Sequence, residues 1–255
     1  FVVGEEAVAV IDSGYSPDMA EAMLRHVRAR TALPVRYVVS TNSQPHRFLG
    51  NDVFRRAGAR ILAGRDAAER MSRDGATMVG AAAGILGIAE WPVPAAPDRL
   101  LSAGESADLD LGGGVVLRVR HAGTAHTKGS LVAEVRPDRT VFAGDILYDG
   151  RLPALIPDGS VKGWLEAFDA LRSLDSAIFV PGHGEPAPLA AFEHPTRDYL
   201  TRLKRHMDDA VKTGTDIEPA KSGFDASAWQ SLANFKELNG RNAYQAFQES
   251  EAEGF

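Results

Sequence analysis

With 255 residues, the chain is long enough to bury roughly 70–75% of its unfolded surface, so a core needs no disulfide or metal staple. Hydrophobic residues make up 44% and charged residues 24%, and a net charge of −6 argues against nucleic acid as a partner, because phosphate binding needs a basic face. There is no cysteine, so disulfides are excluded and metal ligands must come from His, Asp or Glu.

No signal peptide is visible, but the chain opens on Phe1-Val2-Val3, in a strand pattern and without Met, which leaves open both a periplasmic location with a leader removed upstream and a cytoplasmic one. Phe1–Val3 and Ala7–Ile11 read as a hairpin of two buried strands about Gly4-Glu5-Glu6. Asp12-Ser13-Gly14 breaks the second strand, and Asp12 is expected to bond backbone amides in a turn. Ser16 as N-cap and Pro17 at the first helical position start an amphipathic helix to about Arg30. Strand Val35–Ser40 follows, then helix Asn51–Ala57, strand Ile61–Leu62 and helix Asp66–Met71. Gly75 to Gly87 is rich in small apolar groups and reads as a helical flap or a buried helix; the apolar run Met78 to Trp91 is broken by Gly80, Gly84, Gly87 and Glu90, and nothing approaches the ~20 apolar residues of a membrane helix.

From Leu100 the pattern turns β-rich, with strands Ala107–Leu111, Val115–His121, Leu131–Val135 and Thr140–Ala143 separated by Gly112-Gly113-Gly114 and Pro137-Asp138. A helix over Ser160–Leu174 carries Trp164, Phe168 and Leu171 on one face, and Ile178–Val180 is a short strand stopped by Pro181. The tail predicts helices over Pro195–Thr213, Ala226–Ala233 and Arg241–Glu249, the last beginning after a break at Gly240. Four polar loops, each after a strand, hold three of the seven histidines: Thr41 to Arg47, Gly123 to Ser130, Gly144-Asp145 and Pro181 to Gly184. Such spacing suits a polar or metal site gathered from distant loops at a sheet edge. A doubly wound nucleotide-binding domain fails on the missing G-x-G-x-x-G and on the β-rich middle.

The ordered series strand-Asp-Ser-Gly, strand-Ser-Thr-polar loop, His126-Thr-Lys-Gly-Ser, strand-Ala-Gly-Asp145 and strand-Pro-Gly-His183-Gly resembles the metallo-β-lactamase superfamily. The resemblance implies an α/β (α+β) fold, a four-layer αβ/βα sandwich forming one domain over 1–255, with a core of 1–190 and a helical C-terminal extension of 191–255. The tail from Phe235 is similar to hydrolase-like members associated with quinoprotein or sulfur-oxidation systems.

In that family the first loop reads Thr-His-x-His-x-Asp-His and serves two zinc positions. Here Asn42 and Gln44 stand at the two His, His46 at the Asp and Arg47 at the last His, whereas His126, Asp145 and His183 match the remaining ligands. Neutral amides are poor zinc donors and Arg cannot coordinate, so the comparison leaves one metal position, on His46, Asp145 and His183, with His126 beside it as an outer group or weak fourth ligand. Imidazole is longer than aspartate, so His46 fits only in a displaced loop. Two readings follow. In the first, a hydrolase holds one zinc-type ion, Asp145 or His126 orients the attacking water, and Asn42, Gln44 and Arg47 contact a small-molecule ester, thioester, amide or phosphoester. In the second, a metal-free binding module on the same fold pairs Arg47 with Asp145.

Overall fold

The computed structural model describes residues 1–254 and divides into two compact units, Phe1–Ala122 with Lys128–Phe142, and Gly123–Thr127 with the chain from Ala143 onward. The chain carries two five-stranded sheets.

The first unit holds the whole of one sheet. Its strands β1 (Val2–Val3), β2 (Val8–Ile11), β3 (Val35–Val39), β4 (Arg60–Gly64) and β5 (Arg99–Leu101) lie side by side in chain order. β1 and β2 pair antiparallel, and the remaining pairs are parallel. The alternation of a strand sends Val8 and Val10 to one face and Ala9 to the other. The first face packs under α1 (Pro17–Arg28) and α3 (Asn51–Arg56), where Val8, Val10, Val38 and Ile61 meet Ala20, Leu24, Val27 and Phe54. α1 begins as its sequence requires, with the Ser16 hydroxyl accepting from Met19 N at 3.2 Å and Pro17 at the first position.

The other face meets strands of the second sheet. There Ala9, Val39, Leu62 and Leu101 pack on alternate residues of β6 (Ser106–Asp110), β7 (Val116–His121) and β8 (Leu131–Arg136), among them Leu109, Leu117, Val119, Leu131 and Ala133. β6, β7 and β8 form an antiparallel meander, and β8 continues it onto the start of β9 (Thr140–Tyr148). The α+β sandwich agrees with the sequence reading, and so do most strand boundaries to within two residues, but β9 and the strand that starts at Ile178 run on past the expected ends at Ala143 and Val180, through Tyr148 and His183. One strand was not expected, β5, which pairs with β4 and is too short to show a period.

Two short elements of this unit depart from expectation. The first polar loop contains a helical turn, α2 (Pro45–Phe48), begun by Pro45 at its first position. Helix Asp66–Met71 and the glycine-rich flap are one continuous helix, α4 (Arg65–Leu86), which ends at Gly87 with φ +67. Gly75, Gly80 and Gly84 do not break it, because the Ala67, Ala68, Met71 and Ala82 face is buried against Phe48, Leu49 and Ala63.

On β8, Glu134 sits between Arg120 and Arg136, at 3.1 Å from each. Burial pushes its carboxyl up, but hydrogen bonds from Arg136 and Arg120 outweigh it and hold the group below its ordinary 4.5. Such a group stabilises the fold above its unfolded value and loses that contribution as the pH falls through the lower folded one. Glu134→Gln is therefore expected to lower the urea midpoint at pH 7, with the gap from wild type narrowing once the pH is taken below 4.5; a gap that widens in acid would contradict this.

The second unit contains the rest of β9, its neighbour β10 (Ile178–His183), and helices α5 (Val161–Leu171), α6 (Tyr199–Lys212), α7 (Ile217–Gly223) and α8 (Phe235–Glu253). α5 buries Trp164, Ala167, Phe168 and Leu171, the face expected from their spacing. Ala226–Ala233 is not a helix beyond one 3-10 turn at Ser227–Trp229. α8 runs unbroken through Gly240, because Leu238, Asn242, Ala243, Ala246 and Phe247 lie on one buried face, and such packing outweighs the roughly 1 kcal/mol that a helical glycine costs. Among the described residues, no helix is long and apolar enough to cross a membrane.

Candidate functional site

In the first unit, the end of β2 and the first polar loop form a hydrogen-bonded cluster. Asp12, at φ +60, accepts from Thr41 N at 2.8 Å and from the Thr41 hydroxyl at 2.9 and 3.0 Å. The turn role expected of Asp12 is thus the one it has. Arg47 Nη1 donates to Asp12 Oδ2 at 3.2 Å, with both side chains about nine-tenths buried (11% and 12% exposed). The guanidinium and carboxylate tie α2 to β2 inside one unit.

Asn42 is buried, and its side-chain oxygen accepts from Gln44 N at 2.8 Å, an Asx turn leading into Pro45. Arg70 of α4 braces the same loop by donating to the Ser43 hydroxyl at 3.1 Å. His46 rides on α2, half-buried, next to Arg47.

The second unit holds the three later residues, His126, Asp145 and His183, and sets the last two side by side. Gly144-Asp145 lies within β9, and the Asp145 carboxylate is buried. His183 ends β10, the strand beside β9, and its Nε2 stands 3.4 Å from Asp145 Oδ1. Gly184 turns the chain immediately after, at φ +114, where a Cβ would come within 2.9 Å of the Asp149 side chain. The Tyr148 ring lies 4.8 Å from that of His183, and Tyr148 is pinned by Thr196, whose hydroxyl accepts from Tyr148 N at 2.9 Å and donates to its carbonyl at 2.7 Å. Arg151 lies over the Tyr148 ring at 5.8 Å.

His126 is held from three sides. Its Nδ1 stands 2.7 Å from the Ala154 carbonyl, so Nδ1 carries the hydrogen and Nε2 keeps its lone pair. Its ring meets Trp164 edge-on at 5.4 Å, and Trp164 Nε1 donates to the Ile146 carbonyl at 2.8 Å. Its loop lies directly on the first turn of α5, where Ser160 N donates to the Ala125 carbonyl at 3.0 Å.

That close approach depends on glycine. A Cβ on Gly163 would fall 2.1 Å from the Thr124 carbonyl oxygen, and one on Gly159 would fall 2.6 Å from that of His126. Gly163→Ala would gain about 1 kcal/mol of helix propensity, but the clash is with backbone, and overpacking of that kind typically costs about 1–3 kcal/mol. We expect the variant to be less stable by denaturant titration and to displace the His126 loop; a gain in stability would show that the loop moves freely.

The donor chemistry of this unit fits one zinc-type ion. A buried carboxylate and an imidazole nitrogen lie within a few ångströms, and a second imidazole is fixed in the tautomer that leaves Nε2 as a donor. It does not fit the family's two-ion set, because Asn42 and Arg47 are engaged in the bonds just described and neither is a zinc ligand. The residues that sequence reading missed are the supports, Ala154, Thr196, Gly159 before α5 and Gly163 in its first turn. Only the glycines carry a signal, and it is a weak one.

Comparison with known proteins bears on the fold and the family. The structure is similar to a metallo-beta-lactamase from Pontibacter korlensis, with a TM-score of 0.65 and 20% identity over 78% of this chain and 85% of that one, a likeness of fold. The family model of the metallo-beta-lactamase superfamily matches residues 1–183, from β1 to the histidine that closes β10. On a match that covers most of its length, the chain belongs to the metallo-beta-lactamase superfamily.

Proposed function

We propose that the protein is a hydrolase that works with one zinc-type ion held by His46, Asp145 and His183, with His126 beside it. The observation that carries this reading is the approach of His183 Nε2 to the buried Asp145 carboxylate at 3.4 Å. Two imidazoles and a carboxylate are the donor types that zinc prefers when no thiolate is present. When bound, such an ion acidifies water toward neutrality and polarises a carbonyl or phosphoryl oxygen.

The chain's own residues supply the rest. Asp145 and His126 Nε2 are the groups placed to accept the proton of the attacking water. Trp164 and Tyr148 exclude bulk water around them and hold the His126 and His183 rings in place. Asn42 and Arg47 keep the first loop rigid through bonds to Gln44 N and Asp12, and Gln44 is proposed as a substrate contact from the sequence resemblance. The substrate class is a small molecule bearing an ester, thioester, amide or phosphoester.

Elemental analysis of the protein before and after zinc addition tests this. About one equivalent, lost in His183→Ala, supports the reading, and screens with thioesters, lactams and phosphoesters follow. No retained metal in the presence of zinc would overturn it in favour of a metal-free pocket.

A further inference from the structure

Asn242 lies in α8, beyond the residues matched by the family model, and its side chain is fully buried. Its oxygen accepts from Leu155 N at 2.9 Å. Its amide nitrogen donates to the Pro153 carbonyl at 2.7 Å and to the Tyr199 hydroxyl at 3.0 Å. That hydroxyl donates onward to Asn239 Oδ1 at 3.2 Å, on the preceding turn of α8. Between the two residues that Asn242 grips stands Ala154, and the Ala154 carbonyl is the group 2.7 Å from His126 Nδ1.

We propose that Asn242 is a positioning residue for His126. By holding the chain on both sides of Ala154 it aims that carbonyl at Nδ1, and so fixes the imidazole as the Nδ1–H tautomer with Nε2 as the lone-pair nitrogen. A carbonyl can only accept, so the bond exists only when Nδ1 carries the hydrogen. Residues 152–156 form no helix or strand of their own, so the direction of this carbonyl must come from outside the segment. Asparagine suits the task because one short side chain presents an acceptor and a donor together, and the grip needs both. Outer partners of this kind set the orientation and basicity of a metal-site histidine, and their loss typically weakens metal binding 10–100-fold.

The consequence for metal binding rests on the hydrolase reading above, whereas the consequence for the tautomer does not. The test is therefore made first on the metal-free full chain, by two-bond 15N–1H correlation of the histidine rings at a pH where they are neutral. Wild type is expected to show His126 purely as Nδ1–H. Asn242→Ala, and the milder Asn242→Ser, are expected to show a mixture of both tautomers at His126 with the pattern of His26 unchanged. A wild-type His126 protonated on Nε2 overturns the proposal without any variant, and so does an unchanged His126 in either variant that folds. Zinc titration by calorimetry is the second arm, with an expected 10–100-fold loss of affinity in Asn242→Ala. If wild type itself takes no zinc, the hydrolase reading fails while the ring spectra still decide the role of Asn242.

Discussion

His183→Ala is expected to release the bound metal and abolish turnover, the largest functional effect of any single substitution in this chain. The substitution removes an imidazole whose Nε2 lies 3.4 Å from a carboxylate that is itself only 2% exposed. Loss of an outer partner already costs a metal site about 10–100-fold, so loss of a donor should exceed that. The fold should survive, because His183 is partly exposed at the very end of β10 and its strand is held by other residues. Elemental analysis, a melting curve and a hydrolysis assay on the same preparation separate these effects. Turnover that persists in folded, metal-free His183→Ala would end the one-metal scheme.

Trp164→Ala is expected to be the most destabilising substitution in the second unit, at about 3–5 kcal/mol by the usual cost of emptying a large aromatic site. Trp164 is fully buried and touches two other aromatic rings, Tyr148 at 5.7 Å and His126 at 5.4 Å. Trp164→Phe keeps most of the volume and forfeits the donor to the Ile146 carbonyl, which should cost about 1 kcal/mol for the hydrogen bond in addition to a small cavity. Urea titration of both variants checks the order. A loss below about 1 kcal/mol for Trp164→Ala would mean that the site collapses around the vacancy. Because Trp164 forms one wall around His126, the alanine variant should also lose activity out of proportion to its folded fraction, while the phenylalanine variant should not.

The strands were legible in sequence because their apolar residues alternate and their ends are marked by glycine, proline and aspartate. Val8 and Val10 facing α1, with Ala9 facing the meander, is that alternation made physical. His126, Asp145 and His183 were read as a set from the order of their motifs along the chain; the loops expected around the last two are strand instead, with Asp145 inside β9 and His183 closing β10. The turn at Asp12 was read from the Asp12-Ser13-Gly14 break at the end of a strand. What stayed hidden depends on partners far away in the chain. Nothing near Gly240 announces that α8 continues through it, since the decision is made by the buried face on either side. Nothing near Ala226 says that the next residues form a single 3-10 turn. The glycine-rich flap could not be told from a buried helix, because helix periodicity blurs when most of the residues are small; in the structure it is the largely exposed end of α4, with Gly75 and Ala82 its buried residues. Asn242 looked like one more polar residue of a tail helix, and only the fold shows it gripping Pro153 and Leu155.

The loop that supports His126 is fastened from α8 twice. Asn242 holds residues 153 and 155, and Glu249 accepts from the Ser160 hydroxyl and from Val161 N, each at 2.7 Å, at the first turn of α5. These fastenings span 87 to 89 residues of sequence. A ribosome adding about 5–20 residues per second would need roughly 4 to 18 s to make that interval. His183, the last of the proposed ligands, is made within this interval, and from then on all of them are present while both fastenings from α8 are still missing. The nascent chain thus acquires its proposed metal ligands before it acquires these means to aim His126, so competent chemistry would await translation of α8.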